Sequence, residues 1–245
     1  MLERLAISPT DRKELTARIT SRAWRTPQVG IVLGALFLFH FFASFAGLFF
    51  YEDQIPLVKL MATVLMYLII GALITLVNRR ANGSWTDHFG MGFKQLKKLI
   101  LSPVFYLVTL PLLAVTANIW HLILQHAAGL EIALQDVAQA VTQETSWLQL
   151  FYILTAVFAA PLIEEVLFRG ILFPYLVKHT GLTKGILLVS VFFAVIHFHL
   201  PSFVPLLLFS AVLCLAYWRT GSLWVGIGMH AIHNAVTILA LHSGS

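Results

Sequence analysis

The sequence predicts an all-α, polytopic membrane protein, with about seven transmembrane helices around a polar cavity inside the bilayer. Three observations predict it. Of 245 residues, 59% are hydrophobic and 11% charged, where an average soluble domain carries about 25% charge. Long apolar segments recur near 29–50, 57–78, 100–124, 149–177, 184–199, 202–218 and 222–242. Basic residues gather in alternate connections between them.

The same composition excludes other classes. A soluble fold could not cover this apolar surface, with its 19 Phe, behind so few charges. A mean hydropathy of +0.85 excludes disorder and a coiled coil. The single cysteine, Cys214, lies in an apolar stretch, excludes an intrachain disulfide and reads as a small core hydrophobe. The net charge of +5 comes from bases that flank apolar runs. That pattern fits membrane anchoring and not nucleic acid.

Residues 1–28 read as a cytoplasmic basic segment. Ser8 and Pro9 supply an N-cap and a first helical residue. Leu15 and Ile19 then share a face, with Arg12, Arg18, Arg22 and Arg25 around them. This spacing predicts an amphipathic helix lying on an anionic leaflet. The chain reaches residue 28 without an apolar run, so no cleavable signal peptide is expected at its start.

Residues 29–245 read as one transmembrane domain. Connection 51–56 carries Glu52 and Asp53 and no base, whereas 79–98 carries Arg79, Arg80, Lys94, Lys97 and Lys98. Connection 125–147 carries Glu131, Asp136 and Glu144. Lys178, Lys184 and Arg219 mark the later turns. The positive-inside rule therefore places the N-terminus in the cytoplasm and the C-terminus outside. Leu130, Leu134, Val137 and Val141 follow helical spacing, which predicts an interfacial helix over 130–141. Pro161 and Pro174 predict a break or kink in the fourth span, with the carbonyl of Val157 losing its donor to Pro161.

Glu164, Glu165 and Arg169 are the charges deep inside a span, where each costs on the order of 3 kcal/mol or more. Glu165 and Arg169 are four apart and can pair on one face, as a structural or orienting ion pair. Glu164 points about 100° away and is the better candidate for chemistry. His197, His230, His233 and Asn234 also lie in apolar spans. Each alone could be a hydrogen-bonded packing residue. At about 1.5 Å per residue, Glu164, His197, His230 and Asn234 all fall in the middle band of a hydrocarbon core about 30 Å thick. Gly226, Gly228, Ala231 and Ala235 let the last helix approach its neighbours. His199, two residues from His197, is expected to face away, near the outer interface with Pro201.

A carboxylate and an imidazole together can deprotonate water. An amide and a second imidazole can donate to a developing oxyanion. The same side chains can bind zinc. The pattern His-Glu-x-x-His is absent, and no Asp falls inside a span.

Three motifs in order resemble the CPBP family of intramembrane proteases, which includes the CAAX-processing enzymes and bacterial Abi proteins. They are Glu164-Glu165-Val-Leu-Phe-Arg169, Phe193-Ala-Val-Ile-His197 and His230-Ala-Ile-His-Asn234. The resemblance covers the C-terminal hundred residues or so, with a catalytic core near 148–242. It implies an endopeptidase acting on a membrane-associated protein or peptide, most readily in a bacterial plasma membrane. Glu164 and His197 would activate water, and His230 and Asn234 would stabilise the oxyanion. Glu165, Arg169 and Phe193 would support the site, and His233 is an addition to the motif. A metal-free mechanism is favoured because Asn is a poor zinc ligand; if zinc were bound, Glu164, His197 and His230 would hold it. The alternatives from other classes are a non-catalytic membrane adaptor or immunity protein on the same fold and a proton-coupled transporter.

Overall fold

The computed structural model describes residues 9–22, 24–43, 55–80, 84–130 and 147–243. All regular structure among them is helical. The expected interfacial helix over 130–141 falls almost wholly outside the described residues.

Helices α1 (Pro9–Thr20), α2 (Thr26–Ala43) and α3 (Ile55–Arg80) come first. Two short pieces follow, α4 (Trp85–Phe89) and α5 (Phe93–Leu96). A 3-10 turn over Lys97–Leu101 leads from α5 into α6 (Ser102–Ala128). The long α7 spans Trp147–Thr180. Helices α8 (Leu182–Val195), α9 (Leu200–Thr220) and α10 (Leu223–Ser243) complete the bundle. Five stretches are long and apolar enough to cross a membrane: Pro56–Arg80, Phe93–Ala127, Trp147–Thr180, Leu200–Thr220 and Leu223–Leu241. Helices α2 and α8 add shorter apolar pieces. Their outward faces carry large apolar side chains such as Leu68, Val108, Phe158 and Leu239, as lipid-facing helices require.

Helix α7 is continuous through both prolines. Wide π turns over Thr155–Ala159 and Val166–Leu172 absorb them. Each turn ends just ahead of a proline, Pro161 or Pro174, which has no N–H to donate. In the first turn Ala160 N–H donates to the Thr155 carbonyl. One residue on in that register, Pro161 would have to serve the carbonyl of Ala156. The orphaned acceptor is thus Ala156 and not Val157, because the wide turn shifts the pairing by one. The short α-helical stretch between the turns, Ala160–Glu165, carries both glutamates.

Helix α1 packs its apolar face inside the protein, with Ile19 fully buried and Leu15 on the main core. Arg18 donates to the carbonyls of Trp218 (2.7 Å) and Arg219 (3.1 Å), and Arg22 to Gly221 (3.1 Å). Lys98 donates to Thr220 (2.6 Å). These cations satisfy the carbonyls that the end of α9 leaves without intrahelical donors, at the negative end of its dipole. Burial depresses the Arg18 guanidinium below its ordinary range, and the neighbouring Arg22 adds to the effect. Cys214 is buried in the core, as expected.

Candidate active site

Glu164 and Glu165 leave the same helical stretch in different directions. Glu165 is fully buried. Its Oε1 accepts from Arg169 Nη1 at 2.8 Å and from His230 Nδ1 at 3.0 Å. Arg169, also fully buried, reaches on to Ser210 Oγ (2.8 Å) and the Ser210 carbonyl (3.2 Å) on α9. Its guanidinium lies 4.6 Å from the centre of the Phe193 ring. The expected Glu165–Arg169 pair is therefore present, and it ties α7 to α9 and, through His230, to α10. Gly226 makes room for it: a Cβ there would meet Glu165 Oε2 at 2.8 Å.

His230 stands between the two glutamates. A carboxylate can only accept, so Nδ1 carries the proton shared with Glu165. The opposite nitrogen, Nε2, lies 3.9 Å from Glu164 Oε2. Glu164 Oε1 accepts from the Tyr67 hydroxyl at 3.3 Å. Glu164 Oε2 is buried and accepts no hydrogen bond from the described residues.

His197 sits just beyond the end of α8, not within a helix as its apolar surroundings suggested. Its Nδ1 donates to the Phe193 carbonyl at 2.6 Å, which makes Nε2 the basic nitrogen. The two rings lie 4.8 Å apart, so Phe193 packs beside His197 as expected. Phe198 follows at φ 46, a left-handed conformation that a bulky residue rarely adopts. The reversal there turns His199 back toward His197, and both line one cavity. The expectation that His199 faces away is thus overturned: helical spacing does not apply where the helix has ended. Trp120 and His121 of α6 bond the carbonyls of Leu200 (2.9 Å) and Pro201 (3.1 Å), which holds the start of α9 beside this turn.

Asn234 donates through Nδ2 to the Ala156 carbonyl at 2.7 Å. It supplies the donor that Pro161 cannot. An amide NH2 has a second proton to offer. His233 lies 3.4 Å from the Tyr106 hydroxyl and stacks on Phe209, with ring centres 4.3 Å apart.

A cavity of about 430 Å³ gathers Glu164, His197, His230, His233 and Asn234 on its wall. Thr63 and Tyr67 of α3 complete it from the opposite side. Sequence reasoning missed Tyr67, because a tyrosine in a long apolar span carries no distinguishing spacing. Its only signal is a hydroxyl in a run of aliphatic residues.

The zinc alternative required Glu164, His197 and His230 to converge. Among the described residues, no three His, Cys, Asp or Glu groups are placed to hold a metal ion. As placed, these side chains do not form a three-ligand set.

Residues 146–236 match the family described as type II CAAX prenyl endopeptidase Rce1-like. This part of the chain is similar to that family. The match supports the CPBP resemblance, and the Rce1-like segment contains all three motifs that carried it. No curated protein and no solved structure matches the chain. Tyr67 and Thr63, on α3, lie outside the Rce1-like segment yet line the same cavity as its polar residues.

Proposed function

We propose that this protein is an intramembrane endopeptidase that hydrolyses a peptide bond of a membrane-associated protein or peptide. One observation carries the reading: Glu164, His197, His230 and Asn234, distant in sequence, line a single cavity within a bundle of membrane-length helices. The Rce1-like segment supports it, since that family is named for a CAAX prenyl endopeptidase. A prenylated CAAX-type peptide is one candidate substrate; precursor, leader or sorting peptides are others.

In the proposed reaction, the Glu164 carboxylate takes a proton from water, and His197 Nε2 holds that water from the other side. The hydroxide oxygen bonds to the scissile carbonyl carbon. The carbonyl electron pair moves to oxygen, where Asn234 and His230 donate hydrogen bonds. His230 donates from Nε2 in the form in which both ring nitrogens carry protons. The C–N bond then breaks, and the proton held by Glu164 passes to the departing nitrogen. No step uses a metal. The basic residues that gather near the end of α9 would face the cytoplasm.

The test is cleavage by purified protein in proteoliposomes. Glu164→Ala, His197→Ala and His230→Ala each abolish it while the protein stays folded. Full cleavage by Glu164→Ala would overturn this assignment; no cleavage by wild type, with function in cells retained by Glu164→Ala, would favour the adaptor reading, and proton flux without cleavage the transporter reading. Activity that survives chelation supports the metal-free route; stoichiometric zinc whose removal stops cleavage would overturn it.

A further inference from the structure

Tyr67 is the place where the N-terminal half of the chain meets the proposed chemistry. We infer that its hydroxyl is a positioning group for Glu164, holding one carboxylate oxygen and so fixing the orientation of the carboxylate for the reaction. This rests on the peptidase reading above and deepens it.

Among the described residues, Tyr67 is the one hydrogen-bond donor within reach of Glu164, at 3.3 Å from Oε1. The nearest guanidinium, Arg169, is committed to Glu165 and Ser210. The Glu164 side chain is 17% exposed. A phenol donating to Oε1 fixes rotation about the terminal bond of the side chain, which is otherwise soft. Oε2 then faces His230 Nε2 across 3.9 Å, a gap wide for a direct hydrogen bond.

Tyr67 also marks a junction. It lines the main cavity and a second cavity of about 390 Å³ on the α2 side, together with Thr63, Glu164 and His197. A ring at that partition that served only packing would work equally well as phenylalanine. The hydroxyl is what distinguishes the two roles.

The experiment compares wild type, Tyr67→Phe and Glu164→Gln in proteoliposomes. The substrate is the membrane precursor that accumulates in cells carrying Glu164→Gln. The phenylalanine variant keeps the ring and its packing, so its melting temperature should stay close to wild type. Its kcat falls by about tenfold or more, as loss of a hydrogen bond to a charged group predicts, while KM changes by less than about twofold. That split between kcat and KM, with melting unchanged, is what a purely structural role would not cause. Unchanged kcat, with Glu164→Gln inactive, would overturn the role of Tyr67 and leave the peptidase reading standing. If Glu164→Gln cells accumulate no precursor or the variant cleaves normally, the peptidase reading fails and the Tyr67 role falls with it.

Discussion

Glu165 grips His230 through the same carboxylate oxygen that it offers to Arg169. The three groups form a chain from Arg169 Nη1 (2.8 Å) through Glu165 Oε1 to His230 Nδ1 (3.0 Å). Arg169 neutralises the buried carboxylate, and the carboxylate fixes the imidazole's tautomer and orientation. The pair that could have been merely structural is therefore coupled to a candidate site residue.

Breaking this chain at its cation should be costly. Arg169→Leu leaves Glu165 buried without its partner, a loss of about 3–5 kcal/mol in comparable pairs. The variant should melt well below wild type in detergent. Replacing both residues, Glu165→Leu with Arg169→Leu, should regain much of the stability but not the activity, because His230 loses its acceptor. Thermal melts and cleavage assays on the same preparations separate the two effects.

Gly226→Ala probes the same chain from α10. The added methyl would press on Glu165 Oε2 at 2.8 Å. A flexible carboxylate could yield, but this one is held by Arg169 and His230. The expected result is a larger loss in kcat than in melting temperature, measured side by side.

Asn234 has two tasks in this account, and substitution should expose both. Asn234→Ala removes the donor to the Ala156 carbonyl and the proposed oxyanion donor. Loss of one oxyanion donor costs about 10²–10³ in kcat. Stability should fall by about 1–3 kcal/mol, since a buried carbonyl is left without a partner. A kcat loss no greater than the loss of folded protein would leave Asn234 with the structural task alone.

The arginines of α1 predict the opposite balance. Arg18→Ala removes bonds to the Trp218 and Arg219 carbonyls. Arg18 is partly exposed, so solvent screens its charge and the expected cost is about 1 kcal/mol. That corresponds to a drop of about 2–4 °C in melting temperature for a chain of this size. Cleavage at temperatures below the melt should be unchanged.

Much of this was legible in the residues. Apolar runs located the five membrane-length stretches and the two shorter apolar helices, and the i, i+4 spacing of Glu165 and Arg169 foretold their pair. The motif residues Glu164, His197, His230 and Asn234 do share a cavity wall. What spacing could not show arises where the helix is not regular or where partners are distant. The π turn at Thr155–Ala159 moved the orphaned carbonyl from Val157 to Ala156, and that tied Asn234 to α7. The left-handed Phe198 brought His199 onto the cavity. The docking of α1 depends on carbonyls at the end of α9, some 200 residues away in sequence. Tyr67 became visible only when α3 was placed against α7.

The most direct measurement compares membrane proteomes of wild-type cells, cells lacking the protein and cells carrying Glu164→Gln at normal abundance. The account predicts that the same uncleaved membrane-associated precursors accumulate in the deletion and the Glu164→Gln cells, and that wild type clears them. Glu164→Gln cells that match wild type, while the deletion accumulates precursors, would contradict it.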